Sequence, residues 1–275
     1  MAVSGPTVVR RQLGRRLRKL REQARKTEMD VQNASLMSRT KLWRIEGGQV
    51  AVGVPDVRAL CWFYGVGEDL TSALAGQAIG TSERGWWERH GDVVPQWFKL
   101  FIGMEGAASH IQAYDGELIP GLLQTEDYAR AVHAAAQPED GDEDTLQRLV
   151  AVRRERQEAL LQRNPVPKLT VVLGAGALDR KVGGAVVMRA QRAHLRELGQ
   201  LPHVEIAVLA NGSGAHAAMT GAFWLLDFSD AEDPAVVYLE SHVGGHYLEK
   251  ENEVGEYRRI FDLIRREAVP IEEYR

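Results

Sequence analysis

A series of three short helical segments between residues 10 and 48 constrains the fold of this chain more than any other feature. The first segment, residues 10–24, carries apolar side chains at helical spacing, while basic side chains fill its other faces. The apolar positions are Leu13, Leu17, Leu20 and Ala24. This periodicity predicts an amphipathic helix that packs one face against a core.

Capping residues mark the second and third segments. Thr27 is a favourable N-cap, and Asp30 completes a variant of the capping box, which predicts a helix over about residues 28–35. Ser38 is the N-cap expected for the third helix, and Gly47-Gly48 are expected to end it in the left-handed conformation.

Two further helices and a joint complete the predicted N-terminal domain. Pro55 suits the first turn of a fourth helix that stops near Gly65, and a fifth helix follows over residues 69–78. The short string Gly80-Thr81-Ser82 then marks the joint to the second domain. At roughly 150 residues per domain, we predict two domains, over residues 1–79 and 80–275.

The second domain begins with helical sequence and continues in an α/β pattern. The predicted helices lie over residues 83–104 with a break at Pro95, and over residues 125–136, 142–163, 188–198 and 253–266. Short β-rich runs bounded by Gly, Pro, Asn or Asp are found at residues 169–173, 204–209, 223–226 and 236–239. The predicted fold class is therefore multidomain, an all-α N-terminal domain plus an α+β C-terminal domain.

Charge is distributed unevenly along the chain. Residues 1–66 hold 13 Lys and Arg against 5 Asp and Glu, which leaves 21 basic and 33 acidic side chains in the remainder. A basic segment joined to an acidic body is typical of a protein whose N-terminal part binds a polyanion. A solvated basic helix face explains the charge alone equally well, so the motif must decide between them.

The third helix has the pattern required of a helix that reads DNA. In a helix-turn-helix, this helix presents its N-terminal side chains to base edges in the major groove. Leu42 and Ile45 are placed to face inward, and Arg44 follows one turn later, within reach of backbone or base. The exposed residues at its start are Arg39, Thr40 and Lys41. Arg and Lys suit guanine edges, and Thr suits a thymine methyl or a phosphate.

Residues 27–48, and above all the string from Ser38 to Gly48, resemble the lambda-repressor-like (Cro/Xre) helix-turn-helix. The resemblance implies that Ser38 to Lys41 face the groove, that Arg44 contacts DNA or braces the helix, and that Glu46 is structural. The alternative interpretation of the same string is an ordinary capped helix on the surface of a helical domain.

Three positions depart from that family pattern. Gln32 stands where the family usually has a small Ala, and Leu36 stands where it often has Gly, so we expect adjusted helix packing. Glu28 occupies a position where many relatives carry Gln for a phosphate contact, and a carboxylate there is expected to weaken or reroute that contact.

The C-terminal region carries several strings that resemble another family. They are Gly85-Trp86-Trp87 and residues 95–98, 119–130, 182–184, 214–216 and 237–240. These strings resemble the domain of unknown function that follows this helix-turn-helix in the actinobacterial WhiJ-like, antitoxin-like regulators. The resemblance implies a domain that senses a ligand or binds a small partner protein, often encoded by a neighbouring gene.

The aromatic segment and two polar residues form a candidate pocket. Trp86, Trp87 and Trp97 can line a ligand site, because aromatic walls with a few polar groups are typical of such sites, although aromatics are more often core. His216 and Glu240, which lie near strand ends or loops, complete this candidate ligand or partner pocket.

A metal site or an enzyme is the sharpest alternative for the second domain. His216, Glu240, His242 and His246 are compatible with zinc chemistry. Gly244-Gly245, however, disfavours the helix that a His-Glu-x-x-His site needs, and the chain carries no Gly-x-Ser-x-Gly nucleophile elbow. We therefore predict no catalytic residues, no metal and no cofactor.

The expected function is sequence-specific binding of double-stranded DNA by a transcriptional regulator. A homodimer is predicted, because a single recognition helix buries too little surface for tight specificity. Cys61 is the single cysteine, and no secretory leader or long apolar run is found, so a cytoplasmic location without membrane association is expected. The alternative function is an antitoxin-like module that controls a small partner protein.

Overall fold

A computed structural model of the chain describes residues 6–81, 85–90, 93–136, 142–229 and 233–274. The fold divides into two compact units. The first comprises Met1–Arg89 together with Ile102–Ala107, and the second comprises His90–Phe101 together with Ala108–Arg275. Among the described residues, no helix combines the length and the apolarity needed to cross a membrane.

The first unit contains the five helices that the sequence predicts. They are α1 (Pro6–Gln23), α2 (Glu28–Asn33), α3 (Arg39–Glu46), α4 (Val54–Tyr64) and α5 (Glu68–Thr81). Leu13 and Leu17 of α1 are fully buried, together with Leu42 of α3 and Leu60 of α4. The apolar face predicted for the first helix thus contributes to one core that all five helices share.

The capping predictions are confirmed at both helices of the motif. The Thr27 side chain accepts a hydrogen bond from the Asp30 amide (3.1 Å), and the Thr27 amide donates to the Asp30 carboxylate (2.7 Å). The Ser38 hydroxyl accepts from the Lys41 amide at 3.2 Å. At the other end of α3, Gly48 is left-handed with a φ of 66°, whereas Gly47 has a φ of −83°.

The predicted joint at Gly80-Thr81 is instead the last turn of α5. Thr81 is fully buried, and its hydroxyl donates to the Ala78 carbonyl at 2.7 Å and accepts from the Val52 amide at 3.2 Å. These bonds place Thr81 within the first unit. The string Gly80-Thr81-Ser82 suggested a turn from its composition. The bond to Val52 could not be predicted in the same way, because Val52 is distant in sequence. Ser82 lies outside the described residues.

The second unit is built on a seven-stranded mixed sheet, in the order β6-β5-β4-β1-β2-β3-β7. The strands are β1 (His110–Asp115), β2 (Lys168–Gly174), β3 (Val204–Leu209), β4 (Phe223–Asp227), β5 (Val236–Ser241), β6 (Gly244–Leu248) and β7 (Val269–Pro270). β1, β2 and β3 are parallel, and every other neighbouring pair is antiparallel. The α+β class predicted for this region is confirmed.

Six helices accompany the sheet in the described parts of the chain. They are α6 (Gln96–Glu105), α7 (Glu126–Ala136), α8 (Glu143–Leu161), α9 (Ala175–Asp179), α10 (Ala185–Gly199) and α11 (Glu251–Glu267). Short 3-10 turns lie at Trp86–His90, Gly121–Leu123 and Asn211–Ser213. The helices α7 and α8 connect β1 to β2, and α9 and α10 connect β2 to β3, as parallel strands require.

The central strand β1 is the main element that the sequence pattern did not indicate. Its sequence includes Gln112 and Asp115, which are polar yet buried (6% and 7% exposed). Such residues are uncommon in a strand covered on both faces, so the run lacks the usual apolar signal. The strand β6 was also missed, because Gly244-Gly245 suggested only that no helix forms there.

An aromatic cluster forms part of the core between the helices and the sheet of the second unit. The rings of Phe101 in α6 and Tyr238 in β5 are stacked with centroids 4.2 Å apart, and Trp224 in β4 lies 5.9 Å from Phe101. Gly245 permits this packing from the neighbouring strand, because a Cβ there would lie 2.3 Å from the Tyr238 ring. The cluster therefore anchors α6 to the antiparallel half of the sheet.

Candidate functional sites

The recognition helix α3 separates its buried and exposed sides as the sequence predicts. Leu42 and Ile45 are buried, at 0% and 1% exposure. The polar residues Arg39, Thr40, Lys41 and Arg44 are all exposed, as is Ser38. Trp43, which the sequence interpretation did not assign, is 55% exposed on the same helix. The exposed side of α3 thus offers cations, a hydroxyl and an aromatic ring to a partner.

Two glycines allow α1 to approach the end of α3 closely. A Cβ at Gly14 in α1 would lie 2.3 Å from the carbonyl oxygen of Ile45, and 2.9 Å from that of Glu46. A Cβ at Gly48 would lie 2.7 Å from the Cα of Arg11. Because these contacts are with backbone atoms, no side-chain rotation relieves them. The position of α3 in the first unit therefore depends on the absence of side chains at both sites.

A buried ion pair also holds the end of α3 to α1. Arg21 donates to both carboxylate oxygens of Glu46, from Nε at 2.7 Å and from Nη2 at 2.8 Å, and the two side chains are only 9% and 5% exposed. The Arg21 guanidinium also donates to the Lys26 carbonyl at 3.0 Å. The hydrogen bonds that Arg21 donates to Glu46 raise the pKa of Arg21 above its usual value. Glu46 is thus buried and paired with a cation of α1, as expected for a residue with a structural role.

Acidic side chains within the first unit pair with two of the candidate base readers. Lys41 donates to the Asp56 carboxylate in α4 at 2.8 Å, and the Arg39 guanidinium lies 3.8 Å from the Glu28 carboxylate in α2. All four groups retain substantial exposure. Asp56 had no sequence signal for this role, because it lies 15 residues after Lys41. A nucleic acid that binds these cations must replace the carboxylates.

A cleft of about 1030 Å³ lies at one edge of the sheet in the second unit. It is bordered by the carboxyl ends of β1 and β2, at Asp115 and Gly174, and by Leu209 at the end of β3. Trp224 near the start of β4 and Ser241 at the end of β5 lie on the same edge, since these strands run opposite to β1 and β4 respectively. Open α/β sheets typically bind ligands at this edge.

The floor of the cleft carries a buried carboxylate. Asp115 Oδ1 accepts hydrogen bonds from the amides of Glu117 and Leu118, both at 2.9 Å. Burial, which outweighs these bonds, raises the pKa of Asp115 above its ordinary value. Beside it, the Tyr114 hydroxyl lies 3.4 Å from Nε2 of His216, whose Nδ1 accepts from the Ala218 amide at 3.3 Å.

The wall formed by α8 carries two arginines. The Arg156 guanidinium lies 5.3 Å from the ring centroids of both Phe98 and Phe101, a cation–π arrangement. Arg153 lies 3.4 Å from Nε2 of His133. Burial and the neighbouring Arg153 lower the pKa of His133 to about 4, so this imidazole is neutral at physiological pH. The lining of the cleft therefore includes both guanidinium groups and carboxylates.

The structure brings together three of the five residues singled out as a candidate pocket. Trp97, His216 and Glu240 line the cleft, whereas Trp86 and Trp87 do not. Trp87 is 8% exposed and packs edge to face with Trp86 within the first unit, where Gly85 makes room for its ring. Among the described residues, no group of three or more His, Cys, Asp or Glu side chains is arranged to hold a metal ion.

Two different protein-family models match the N-terminal and the C-terminal parts of the chain. Residues 98–275 match the model of a domain of unknown function, DUF5753. The chain belongs to the DUF5753 family. Residues 12–74 match a helix-turn-helix domain, which spans all of α2, α3 and α4. No curated protein and no solved structure matches the chain significantly.

The helix-turn-helix match indicates that this DUF5753 protein is a DNA-binding regulator. The matched DUF5753 region contains almost every residue that borders the cleft, from Phe98 to His242. The string at residues 119–130, noted in the sequence, forms one side of that cleft and the start of α7. This string therefore helps to shape the cleft.

Proposed function

We propose that this protein is a sequence-specific transcriptional regulator of the lambda-repressor-like (Cro/Xre) type. Arg39, Thr40 and Lys41 read bases, Ser38 caps the recognition helix at the groove, and Arg44 contacts the backbone or a base. The observation that carries the proposal is the exposed, capped N-terminus of α3, held from behind by Gly14 and the Arg21–Glu46 pair.

A homodimer on double-stranded DNA is part of this proposal. One recognition helix contacts only a few base pairs, so two half-sites supply the specificity that a regulator needs. The second unit senses a ligand or a small partner protein, as in the WhiJ-like, antitoxin-like regulators that the sequence resembles, and the protein acts in the cytoplasm. Sedimentation of the purified chain with and without its operator tests the dimer.

Removing a base-reading cation is expected to weaken specific binding. Genome-wide mapping of bound sites with the full-length protein first gives the operator. Fluorescence anisotropy then compares Arg39→Ala and Lys41→Ala with the wild type. Each variant is expected to lose about 1–3 kcal/mol on the operator and to relax the preference at one base position.

The matched control is Arg259→Ala, which removes one exposed cation from α11 in the second unit. This variant is expected to bind the operator as the wild type does. Unchanged base preference in both Arg39→Ala and Lys41→Ala would contradict the assignment of these residues as readers.

Glu28→Gln is expected to strengthen DNA binding. The Glu28 carboxylate lies near Arg39 on the proposed DNA-facing surface, where it repels phosphate and holds the guanidinium. The amide removes both effects, and an exposed pair of this kind is worth up to about 1 kcal/mol, or about fivefold in Kd. Glu22→Gln, on the exposed Arg18–Glu22 pair of α1, is the control for the change in net charge. Weaker binding by Glu28→Gln would show that the carboxylate makes a favourable contact.

A further inference from the structure

The cleft of the second unit lies at a switch point of the sheet. From β1, the chain continues through β2 and β3 on one side, whereas β4 and β5 lie on the other side of β1. The loops that leave β1 and those that precede β4 therefore diverge and leave a crevice at the carboxyl end of β1. Asp115, the last residue of β1, stands at this point.

Two buried side chains offer unused acceptor atoms there. Asp115 uses Oδ1 for the two loop amides, and its Oδ2 has no hydrogen-bond partner among the described residues. Gln124 is 5% exposed and lines the cleft, and its Nε2 donates to the Ile119 carbonyl at 2.6 Å. That bond fixes the orientation of the amide, and within the described parts of the chain its buried Oε1 has no partner. Leaving the buried Gln124 Oε1 without a donor is costly, and Asp115 Oδ2 offers a second acceptor in the same cleft, so a ligand with N–H groups fits both atoms.

The loop that carries Gln124 is held firmly in place. Gln157 in α8 donates to the carbonyls of Gly121 and Gln124, at 2.8 Å and 2.9 Å. Gln191 in α10, which is fully buried, donates to the Leu123 carbonyl at 2.7 Å and accepts from the Thr125 amide at 2.7 Å. Because helices on both sides fix this loop, the acceptor is preorganised rather than adjustable.

The aromatic and acidic side chains that line the cleft favour a flat cation. Trp97, Tyr114 and Trp224 line it, and aromatic faces attract cations through their quadrupoles. Glu240 and Glu117, which also pairs with Arg180, lie close enough to Asp115 to raise its pKa, so a positive charge beside Asp115 is favourable. Arg156 lies beside the loop at Gly121, and its guanidinium is stacked on Phe98 and Phe101.

We propose that this cleft binds a small organic cation with a planar body, such as an aromatic amine or amidine, through Asp115 and Gln124. The N–H groups donate to Asp115 Oδ2 and Gln124 Oε1, and the planar body lies against Trp97 and Trp224. This inference rests on the proposed function in one respect, since it names the class of signal that the regulator senses.

The test uses the full-length protein labelled with 5-fluorotryptophan and three probes of the same shape. Benzamidine is the cation, benzamide is neutral, and benzoate is the anion. Benzamidine is expected to shift the ¹⁹F resonances of Trp97 and Trp224 saturably, with a Kd in the millimolar range or below, as a ligand of this size permits. The exposed Trp43 and Trp62 of the first unit serve as internal controls and are expected not to move.

Asp115→Asn is the decisive variant. Its Oδ1 still accepts from the two loop amides, so the turn is kept, but the charge is lost. Benzamidine affinity is expected to fall about tenfold or more. Asp262→Asn, an exposed residue of α11, is the matched control and is expected to bind as the wild type does.

Three results would overturn the proposal: preferred binding of benzoate, no saturable shift with any probe, or equal benzamidine affinity in Asp115→Asn. Each is measured without DNA, so it does not bear on the proposed reading of an operator by α3. If the protein binds benzamidine but binds no operator, the proposed regulatory function is rejected, whereas the proposed ligand site in the cleft is retained.

Discussion

Gly14→Ala is expected to abolish operator binding while leaving most of the fold intact. The added methyl would lie 2.3 Å from the Ile45 carbonyl oxygen, which is part of the backbone of the recognition helix. The two helices must therefore separate or rotate. Overpacking of this kind costs about 1–3 kcal/mol in stability, and a shift of α3 disrupts all its base contacts together.

Gly76→Ala supplies the matched control for this change. Gly76 lies within α5, and a Cβ there has no atom within 4 Å. Alanine is expected to stabilise that helix by about 1 kcal/mol and to leave DNA binding unchanged. Anisotropy on the operator and urea unfolding of the full chain measure both effects. Wild-type affinity in Gly14→Ala would mean that the contact between α1 and α3 does not position the recognition helix.

Glu46→Ala is expected to produce the largest loss of stability in the first unit. The substitution leaves the Arg21 guanidinium buried without its carboxylate, and breaking a buried pair from one side costs about 3–5 kcal/mol. Because Glu46 also ends α3, operator binding is expected to fall in the same variant. Urea unfolding followed by circular dichroism gives the change in the free energy of unfolding.

Glu22→Ala breaks a comparable pair on the surface of the same helix α1. Arg18 and Glu22 are 2.9 Å apart, but their side chains are 62% and 55% exposed, so the expected loss is about 0–1 kcal/mol. Similar losses in the free energy of unfolding for Glu46→Ala and Glu22→Ala would show that the buried pair contributes no more to stability than the exposed pair. A small loss in both would remove the structural role that the sequence resemblance assigns to Glu46.

The elements that sequence predicted well are those whose signals are local. Thr27, Asp30 and Ser38 cap helices through bonds that span three residues, so the cap and its helix are read from the same short string. The run of β3 is apolar except for Glu205 and is buried over its last four residues, and its predicted bounds match the structure. The separation of buried and exposed sides on α3 follows from its periodicity in the same way.

The elements that were missed depend on partners distant in sequence. β1 is polar enough to look like a loop, and it becomes a central strand only because β2 and β4 pair with it on either side. In the sequence Thr81 resembles a linker residue, but in the structure its hydroxyl accepts a hydrogen bond from the Val52 amide. Asp56 gained a role at the recognition helix solely through its contact with Lys41.

By itself, the sequence determined that five helices, two of them capped by side chains, precede an α+β region, and which side of α3 faces outward, because capping and amphipathic periodicity act within a few residues. Only the tertiary structure decided that carboxylates pair with Arg39 and Lys41, that Trp97 but not Trp86 or Trp87 lines the cleft, and that Asp115 and Gln124 share that cleft. The physical reason is that burial and pairing depend on the residues that the fold brings together, and those residues are far apart along the chain.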